Sequence, residues 1–236
     1  MRKKRSRPSG AAFPWLALVT AAYLVIATAY ALSLPWADLP DESAHFLYVK
    51  HLLDQRSLPM FTSGAGNYEA HQPPLYYAAL VPLVALVRSA GGSLAAQGKA
   101  ARLLSVLAGA AVILLAHRIL RRAAPQRPEL ADLAAAAAAF VPSQLLVFSA
   151  VGNDAVTEVF FCALALATLA TAAREPRGRE LFALGLGVGL AMLIKVSAVV
   201  LLVAIPLGVA AASRHWPGAQ RGRKAARACA LIVAAA

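Results

Sequence analysis

Long apolar runs, repeated along the chain and separated by short basic clusters, constrain this sequence more than any other feature. Apolar residues make up 60% of the 236 residues, and charged residues only 14%. A soluble domain is typically about half apolar and a quarter charged, so this chain has too little charge for a globular surface. Runs of about 18 or more apolar residues are typical of membrane-spanning helices. The sequence therefore predicts an all-α fold, a polytopic transmembrane helical bundle.

Seven hydrophobic spans are predicted, at residues 13–35, 103–120, 130–150, 154–173, 181–194, 196–213 and 226–236. The basic tail 1–12 precedes the first apolar stretch, as in a signal peptide. That stretch is much longer than the apolar core of a signal peptide, about 7–15 residues, so we expect an uncleaved first transmembrane helix. The final run is too short to cross a hydrocarbon core of about 30 Å. We therefore expect an N-terminal fragment, with the helices of 102–236 truncated at the C-terminus.

The apolar stretch 73–87 decides the predicted topology. If it is an in-plane or re-entrant helix rather than a span, 17 of the 23 Lys and Arg residues fall in inside segments, namely 1–12, 117–132, 174–180 and 214–227. This distribution agrees with the positive-inside rule. It predicts a multi-pass protein of the cell membrane with a cytoplasmic N-terminus. The long first loop, 36–101, is then extracytoplasmic and contains juxtamembrane helices.

The net charge of +12 would favour nucleic-acid binding in a soluble protein. Here the basic residues lie between apolar runs, so we expect membrane lipids as partners and no nucleic acid. Cys162 and Cys229 fall inside predicted helices and give neither a disulfide framework nor metal-type spacing.

The first loop opens with an acidic pair, Asp41 and Glu42, directly after Pro40. One interpretation is structural, because Asp41 could cap a helix and both carboxylates would lie near its positive end. The other is chemical, because a carboxylate at the membrane surface can act as a general base toward a hydroxyl. His45 follows Asp41 by four residues and would share its helix face. The pattern alone leaves both interpretations open.

Glu69 and His71 lie further along the same loop, two residues apart. They could supply oxygen and nitrogen ligands to a divalent metal ion. Two-residue spacing in a loop is a weak signal, and surface residues are the favoured interpretation. Tyr76 and Tyr77 follow, and tyrosines at this position suit a membrane–water interface.

Two charged residues interrupt the later apolar runs. Asp154 lies in a Gly-Asn-Asp turn that turn chemistry alone explains. A lone Lys in a membrane span, such as Lys195, marks a functional site by default, although its side chain could also extend to the headgroups. The predicted topology places both residues on the same side as the first loop and Arg102.

The order of these motifs resembles the GT-C superfamily of membrane glycosyltransferases. It is most similar to the branch with the protein O-mannosyltransferases and the aminoarabinose transferase of lipid A. The matching segments are Pro40-Asp41-Glu42 with His45, Glu69 to Tyr77, Arg102 to Ser105 with Gly109, Asp154, and Gly189 to Lys195. Ile194 precedes Lys195 where relatives often have Thr, which leaves the sugar and the acceptor open.

The resemblance implies transfer of a sugar, with inversion, from a polyprenyl-phosphate donor to an acceptor hydroxyl on the extracytoplasmic face. The acceptor is a lipid, a glycan or a protein. The resemblance implies three catalytic residues, with Asp41 as the base: Asp41, Glu42 and Asp154. It implies four residues that bind substrate or phosphate: His45, His71, Arg102 and Lys195. A divalent metal near Glu69 and His71 stays an alternative, and the fragment alone is expected to be inactive. A non-enzymatic transporter or lipid carrier is the alternative function.

Overall fold

The computed structural model describes residues 15–61, 67–172, 174–216 and 220–236, and these ranges contain helices but no strand. The α-helices are α1 (Trp15–Ser33), α2 (Glu42–Gln55), α3 (Leu75–Ser89), α4 (Leu94–Ala123), α5 (Pro128–Phe140), α6 (Pro142–Val147), α7 (Asp154–Ala172), α8 (Gly178–Met192), α9 (Leu201–Ala212) and α10 (Arg221–Ala235). Short 3₁₀ helices cover Tyr68–His71, Val196–Val200 and Ser213–His215. The predicted all-α class is confirmed.

Among the described residues, four helical segments are long and apolar enough to cross a membrane, namely Trp15–Ser33, Leu94–Ala123, Asp154–Thr171 and Val196–His215. Their lengths of 18 to 30 residues correspond to about 27 to 45 Å at 1.5 Å per residue. The chain is a membrane protein built as a helical bundle. By contrast, α3 has 15 residues and reaches only about 22 Å, short of the hydrocarbon core of about 30 Å. Its length suits the juxtamembrane helix expected at 73–87.

Two predicted boundaries were wrong, and each has a local cause. The span expected at 130–150 is broken between α5 and α6, where Val141 is extended and Pro142 begins the next helix. Proline lacks a backbone N–H and disfavours helical geometry in the residue before it. The helix expected to begin near Arg102 begins at Leu94, because the Ser93 hydroxyl accepts a hydrogen bond from the Ala96 N–H at 3.2 Å. Arg102 therefore lies inside α4.

The bundle is centred on α4, which packs against α1, α3, α5 and α7. At Gly109, the ring of Phe148 and the hydroxyl of Tyr23 occupy the space that a Cβ would fill. That hydroxyl donates to the Val106 carbonyl at 3.0 Å. A glycine is needed here because the neighbouring side chains approach the helix backbone so closely.

A second core joins α8, α9 and α10, and a third lies under α2 and α3. In the third core, Tyr77 and Val49 are fully buried beside Ile194. The first loop is therefore packed on the end of the bundle, where it meets the segments that carry Asp154 and Lys195.

Candidate active site

The candidate site lies where three chain connections meet at one end of the bundle. These are the α1–α2 loop, the turn before α7, and the junction after α8. The Leu75 N–H donates to the Leu193 carbonyl at 3.0 Å, which ties the start of α3 to that junction. The amide of Asn153, itself fully buried, donates to the Ile194 carbonyl at 3.1 Å. Backbone and amide hydrogen bonds thus fix the relative positions of segments far apart in sequence.

A fully buried ion pair joins Glu42 and Arg102, and both side chains are 0% exposed. The guanidinium donates two hydrogen bonds to the carboxylate, of 2.7 Å from Nε and 2.6 Å from Nη2. Its remaining N–H groups donate at 2.8 to 3.0 Å to the carbonyls of Ala31, Leu34 and Pro35. All five donors of the guanidinium are satisfied. Arg102 therefore holds the end of α1 against α4.

The Glu42 carboxylate also accepts two backbone hydrogen bonds. The Val151 N–H donates to Oε1 at 3.0 Å and the Ala37 N–H to Oε2 at 3.2 Å. We call Glu42, Arg102 and these backbone partners the buried clip. The resemblance implies direct catalysis by Glu42 and phosphate binding by Arg102, and these roles stay predictions. The structure buries both side chains, and this placement fits a scaffold of the site.

Asp41 lies beside the clip but faces outward. Its backbone is left-handed, with φ of 59°, and its side chain makes no capping hydrogen bond to α2. The helix-capping interpretation of Asp41 was therefore wrong. The carboxylate instead accepts a hydrogen bond of 2.6 Å from the hydroxyl of Tyr68. This hydrogen bond raises the pKa of Tyr68 to about 12, so the phenol stays protonated and keeps donating.

Asp41 lines a cavity of about 340 Å³ together with His45 and Asp154. The cavity residues are Leu39, Pro40, Asp41, His45, Ser143, Leu146, Val147, Ala150, Val151, Gly152 and Asp154. Three of these residues are titratable, namely Asp41, His45 and Asp154, and most of the others are apolar. Such a site can hold a molecule with one polar and one apolar part.

Asp154 forms a second ion pair, with Lys195, whose ammonium donates to Oδ1 of the carboxylate. The Asp154 side chain is 49% exposed and that of Lys195 is 21% exposed. We call this the open pair. The pair sets a cation against Asp154, a carboxylate that lines the cavity, and both side chains keep some contact with solvent.

His45 connects the cavity to a buried aromatic cluster. Its Nδ1 shares a hydrogen bond of 2.8 Å with the Tyr77 hydroxyl and lies 3.7 Å from Oε2 of Glu69. Tyr77 stacks on Tyr48, with ring centroids 3.9 Å apart. Burial lowers the pKa of His45 below its ordinary value of 6.5, although nearby carboxylates, Glu69 first, act in the opposite direction. The imidazole is therefore held neutral beside the cavity.

Glu69 and His71 do not form a common ligand set. Glu69 is 7% exposed and faces His45, whereas His71 is exposed and its Nδ1 lies 2.5 Å from the Tyr68 carbonyl oxygen. Across the four described ranges, no group of three or more His, Cys, Asp or Glu residues is arranged to hold a metal ion. Glu69 and His71 are therefore not part of a formed ligand cluster for the suggested metal in these described ranges.

A family model described as dolichyl-phosphate-mannose-protein mannosyltransferase matches residues 72–236, well over half of the chain. The chain belongs to this family. It is a membrane glycosyltransferase of the GT-C kind, and the resemblance seen in the sequence is confirmed. Comparisons with curated proteins and with solved structures found no match.

The mannosyltransferase family match includes Arg102, Asp154 and Lys195 but begins after His71. The first-loop residues Asp41, Glu42, His45 and Glu69 are therefore associated with the site by geometry alone, whereas His71 is exposed and does not line the cavity. The family decides against the alternative of a non-enzymatic transporter or lipid carrier.

Two tyrosines of the site were not identified from the sequence. Tyr77 was assigned to a membrane interface, yet it is 0% exposed and holds His45. Tyr68 carried no expected role, yet it donates to Asp41. The sequence signal was weak: Tyr68 directly precedes Glu69, one of the candidate residues.

Proposed function

We propose that this glycosyltransferase moves a sugar from a polyprenyl-phosphate donor to an acceptor hydroxyl on the extracytoplasmic face, with inversion. Asp41 is the catalytic base. The observation that carries the proposal is the exposed Asp41 carboxylate, which lines a cavity of about 340 Å³ together with Asp154 of the open pair. The apolar residues of that cavity suit the first units of a prenyl chain, and its titratable residues suit a phosphosugar.

Asp41 has the surroundings that a base requires. Its carboxylate is exposed and accepts a hydrogen bond from Tyr68. The phenol of Tyr68 therefore occupies one lone pair of the carboxylate, and other lone pairs remain to accept the proton of an incoming hydroxyl. Its left-handed backbone, uncommon outside glycine, is held by the buried clip at Glu42, the next residue in the chain.

The reaction is a single displacement. As the acceptor oxygen attacks the anomeric carbon, Asp41 takes the hydroxyl proton. The bond between that carbon and the phosphate oxygen breaks, and its electron pair leaves with the polyprenyl phosphate. Attack opposite to the leaving group inverts the anomeric configuration.

The leaving phosphate needs a cation, and Lys195 is the partly exposed cation that, in the described part of the chain, pairs with a carboxylate of the cavity. Arg102 cannot fill this role without leaving the buried clip, which uses all of its N–H groups. The Asp154 side chain is 49% exposed and that of Lys195 is 21% exposed, so we expect the ammonium to exchange the carboxylate for a phosphate at small cost. Asp154 then positions Lys195, and neutral His45 offers a hydrogen bond to the bound sugar or phosphate.

The proposed orientation follows the basic residues. The tail 1–12 is cytoplasmic, 13–35 is the first transmembrane helix, 36–101 is the extracytoplasmic catalytic loop, and 102–236 contains further transmembrane helices. This arrangement puts the site in the outer leaflet, where a lipid-linked donor and a cell-envelope acceptor meet.

The decisive experiment is Asp41→Asn, assayed as transfer of radiolabelled sugar from polyprenyl-phosphate donors by membranes that contain the enzyme expressed from its complete gene. Loss of a positioned base lowers rates by about 10²–10⁴, with insertion in the membrane unchanged. Asp38→Asn is the matched control, because Asp38 is an exposed acid of the same loop that does not line the cavity.

Near-normal transfer by Asp41→Asn would overturn the assignment of the base. A cysteine placed at position 41, with Cys162 and Cys229 replaced by Ala, tests the sidedness in the same membranes. Labelling of position 41 from the cytoplasmic side only would overturn the orientation and the mechanism together.

A further inference from the structure

A second cavity lies at the opposite end of α4 and α7 from the catalytic residues. It is a groove of about 650 Å³, lined by Leu115, Arg118, Arg121, Arg122, Ala163, Leu166, Ala167 and Ala170. Three of its lining residues are arginines, the other five are apolar, and none is acidic. From this chemistry we propose that the groove binds an anionic phospholipid of the surrounding leaflet.

The arginines form one edge of the groove. Residues 118, 121 and 122 lie three and four apart in the last two turns of α4, so they share one side of the helix. Arg122 donates weakly to the Ala170 carbonyl, at 3.5 Å. Within the described ranges, Arg118 and Arg121 have no hydrogen-bond or ion-pair partner.

The acids nearest in sequence are already engaged. Glu129 accepts a hydrogen bond of 2.6 Å from Arg127, and Asp132 lies 3.4 Å from Nε2 of His117. Helices α4 and α7 both end near this groove, and each C-terminus contributes about half a negative charge. These partial charges offset about one of the three arginines. The edge keeps an excess of about two positive charges, which calls for an anion.

The apolar wall distinguishes a lipid from a free anion. Ala163, Leu166, Ala167 and Ala170 lie on one side of α7, because Leu166 and Ala167 follow Ala163 by three and four residues and precede Ala170 by four and three, which makes a continuous apolar stripe. Small residues keep the groove open, and the stripe runs along a membrane-spanning helix away from the arginines. A headgroup phosphate on the arginines would therefore place an acyl chain against α7. Basic pockets between transmembrane helices are typical sites for anionic headgroups.

The distribution of charge in the groove also predicts which lipid headgroup it binds. A zwitterionic headgroup brings its own cation to an edge that already has an excess of positive charge. Phosphatidylglycerol has one net negative charge and no cation. We therefore expect selection for phosphatidylglycerol over phosphatidylcholine, although both contain a phosphodiester.

The test measures lipid binding to the purified protein by native mass spectrometry, in separate titrations with phosphatidylglycerol and with phosphatidylcholine. Arg118→Gln/Arg121→Gln removes the two unpartnered charges and leaves the contact of Arg122 to α7. Each basic residue near an anionic surface contributes about a fivefold factor. The association constant for phosphatidylglycerol should fall about thirtyfold in this variant.

The matched control is Arg179→Gln/Arg223→Gln, which removes the same charge from two exposed arginines that do not line the groove. Its binding should stay within about twofold of the unaltered protein, since neither side chain is near the headgroup. A steric variant complements the charge variants. Ala163→Phe fills the exposed stripe without changing the charge, and should lower binding about tenfold by displacing about two methylenes.

Three results would overturn the proposal. An equal fall in the control would show non-specific attraction by net charge, and equal binding of phosphatidylcholine would remove the selection for an anion. Displacement of the lipid by an equal concentration of glycerol phosphate would show that the site recognises a free phosphate without the acyl chain. Transfer activity is not a readout here, so failure of this proposal is independent of the role of Asp41.

Discussion

Two ion pairs lie at the same end of the bundle, and each joins a carboxylate to a basic side chain, but they differ in burial and in hydrogen bonding. The buried clip joins Glu42 to Arg102, 60 residues apart, and the open pair joins Asp154 to Lys195, 41 residues apart. Both side chains of the clip are 0% exposed, whereas those of the open pair are 49% and 21% exposed. The difference teaches that the same kind of charge pair fits a scaffold when it is enclosed, whereas the open pair is the one for which we propose an exchange of partners.

The physical basis is desolvation. A buried ion pair is stable only where further hydrogen bonds satisfy its remaining donors and acceptors. The clip meets this condition with three carbonyls and two backbone N–H groups. An exposed pair contributes only about 0–1 kcal/mol, so Lys195 can leave Asp154 for a phosphate. An ion pair with a structural role therefore needs burial with full hydrogen bonding, whereas an ion pair that exchanges partners needs contact with solvent.

The largest expected effect is on the clip. Arg102→Met leaves the Glu42 carboxylate buried without a counter-charge, and loss of one partner of a buried pair costs about 3–5 kcal/mol. The free energy of unfolding, measured by denaturant titration in mixed micelles, should fall by that amount. Arg88→Met is the matched control, because Arg88 pairs with Asp54 at the surface and is 52% exposed. Its effect should stay within about 1 kcal/mol.

The double variant Glu42→Leu/Arg102→Met sharpens this prediction. An apolar replacement of both partners often restores stability in a buried pair. Here it should not, since the carbonyls of Ala31, Leu34 and Pro35 and two backbone N–H groups would lose their partners. A double variant as stable as the unaltered protein would show that the clip is dispensable to the fold.

The next effect is on the open pair, and it should appear in activity. Lys195→Met removes the cation beside the leaving phosphate and should lower the transfer rate by about 10²–10³, as loss of one transition-state donor does. The free energy of unfolding should change by less than about 1 kcal/mol, because the pair is solvated. Lys195→Arg keeps the charge and should recover part of the rate. If Lys195→Met instead destabilised the protein as Arg102→Met does, the contrast between the pairs would be wrong.

The two pairs also show what the sequence can predict. Helix content follows from apolar runs, and the positive-inside rule predicts that Asp154 and Lys195 lie on one side of the membrane. That prediction needs only topology, so their contact was within reach. A break at Pro142 was one of the outcomes that the sequence allowed, because proline removes a backbone hydrogen bond from a helix interior. Proline alone does not decide it, since Pro82 and Pro206 lie inside α3 and α9.

The burial of individual side chains could not be predicted from the sequence in the same way. Glu42 directly follows Asp41 in the chain, yet one is enclosed and the other lines a cavity. The difference comes from the left-handed backbone at Asp41 and from Arg102, 60 residues away. Tyr77 shows the same limit, since an aromatic residue near a membrane boundary suits both an interface and a core. Tertiary contacts decide such cases, and local pattern does not contain them.

The smallest effect concerns His45, which lines the cavity between the two pairs. The groups that act on it are Tyr77, Glu69, Asp41, Asp154 and Lys195. Burial lowers the pKa of His45 below 6.5 in the folded protein, so the unfolded chain binds the proton more readily. The contribution of His45 to stability is therefore full above about pH 6.5, and is lost as the pH falls toward the lowered pKa.

His45→Gln keeps a hydrogen-bonding side chain and removes this titration, so the midpoint of thermal unfolding between pH 7.5 and 5 should fall less steeply than in the unaltered protein. His71→Gln, an exposed histidine of the same loop, should leave the slope unchanged. If His45→Gln had the same slope as the unaltered protein, burial would have no effect on the titration of His45. The surroundings of the imidazole would then be solvated, as at the open pair, and not enclosed, as at the buried clip.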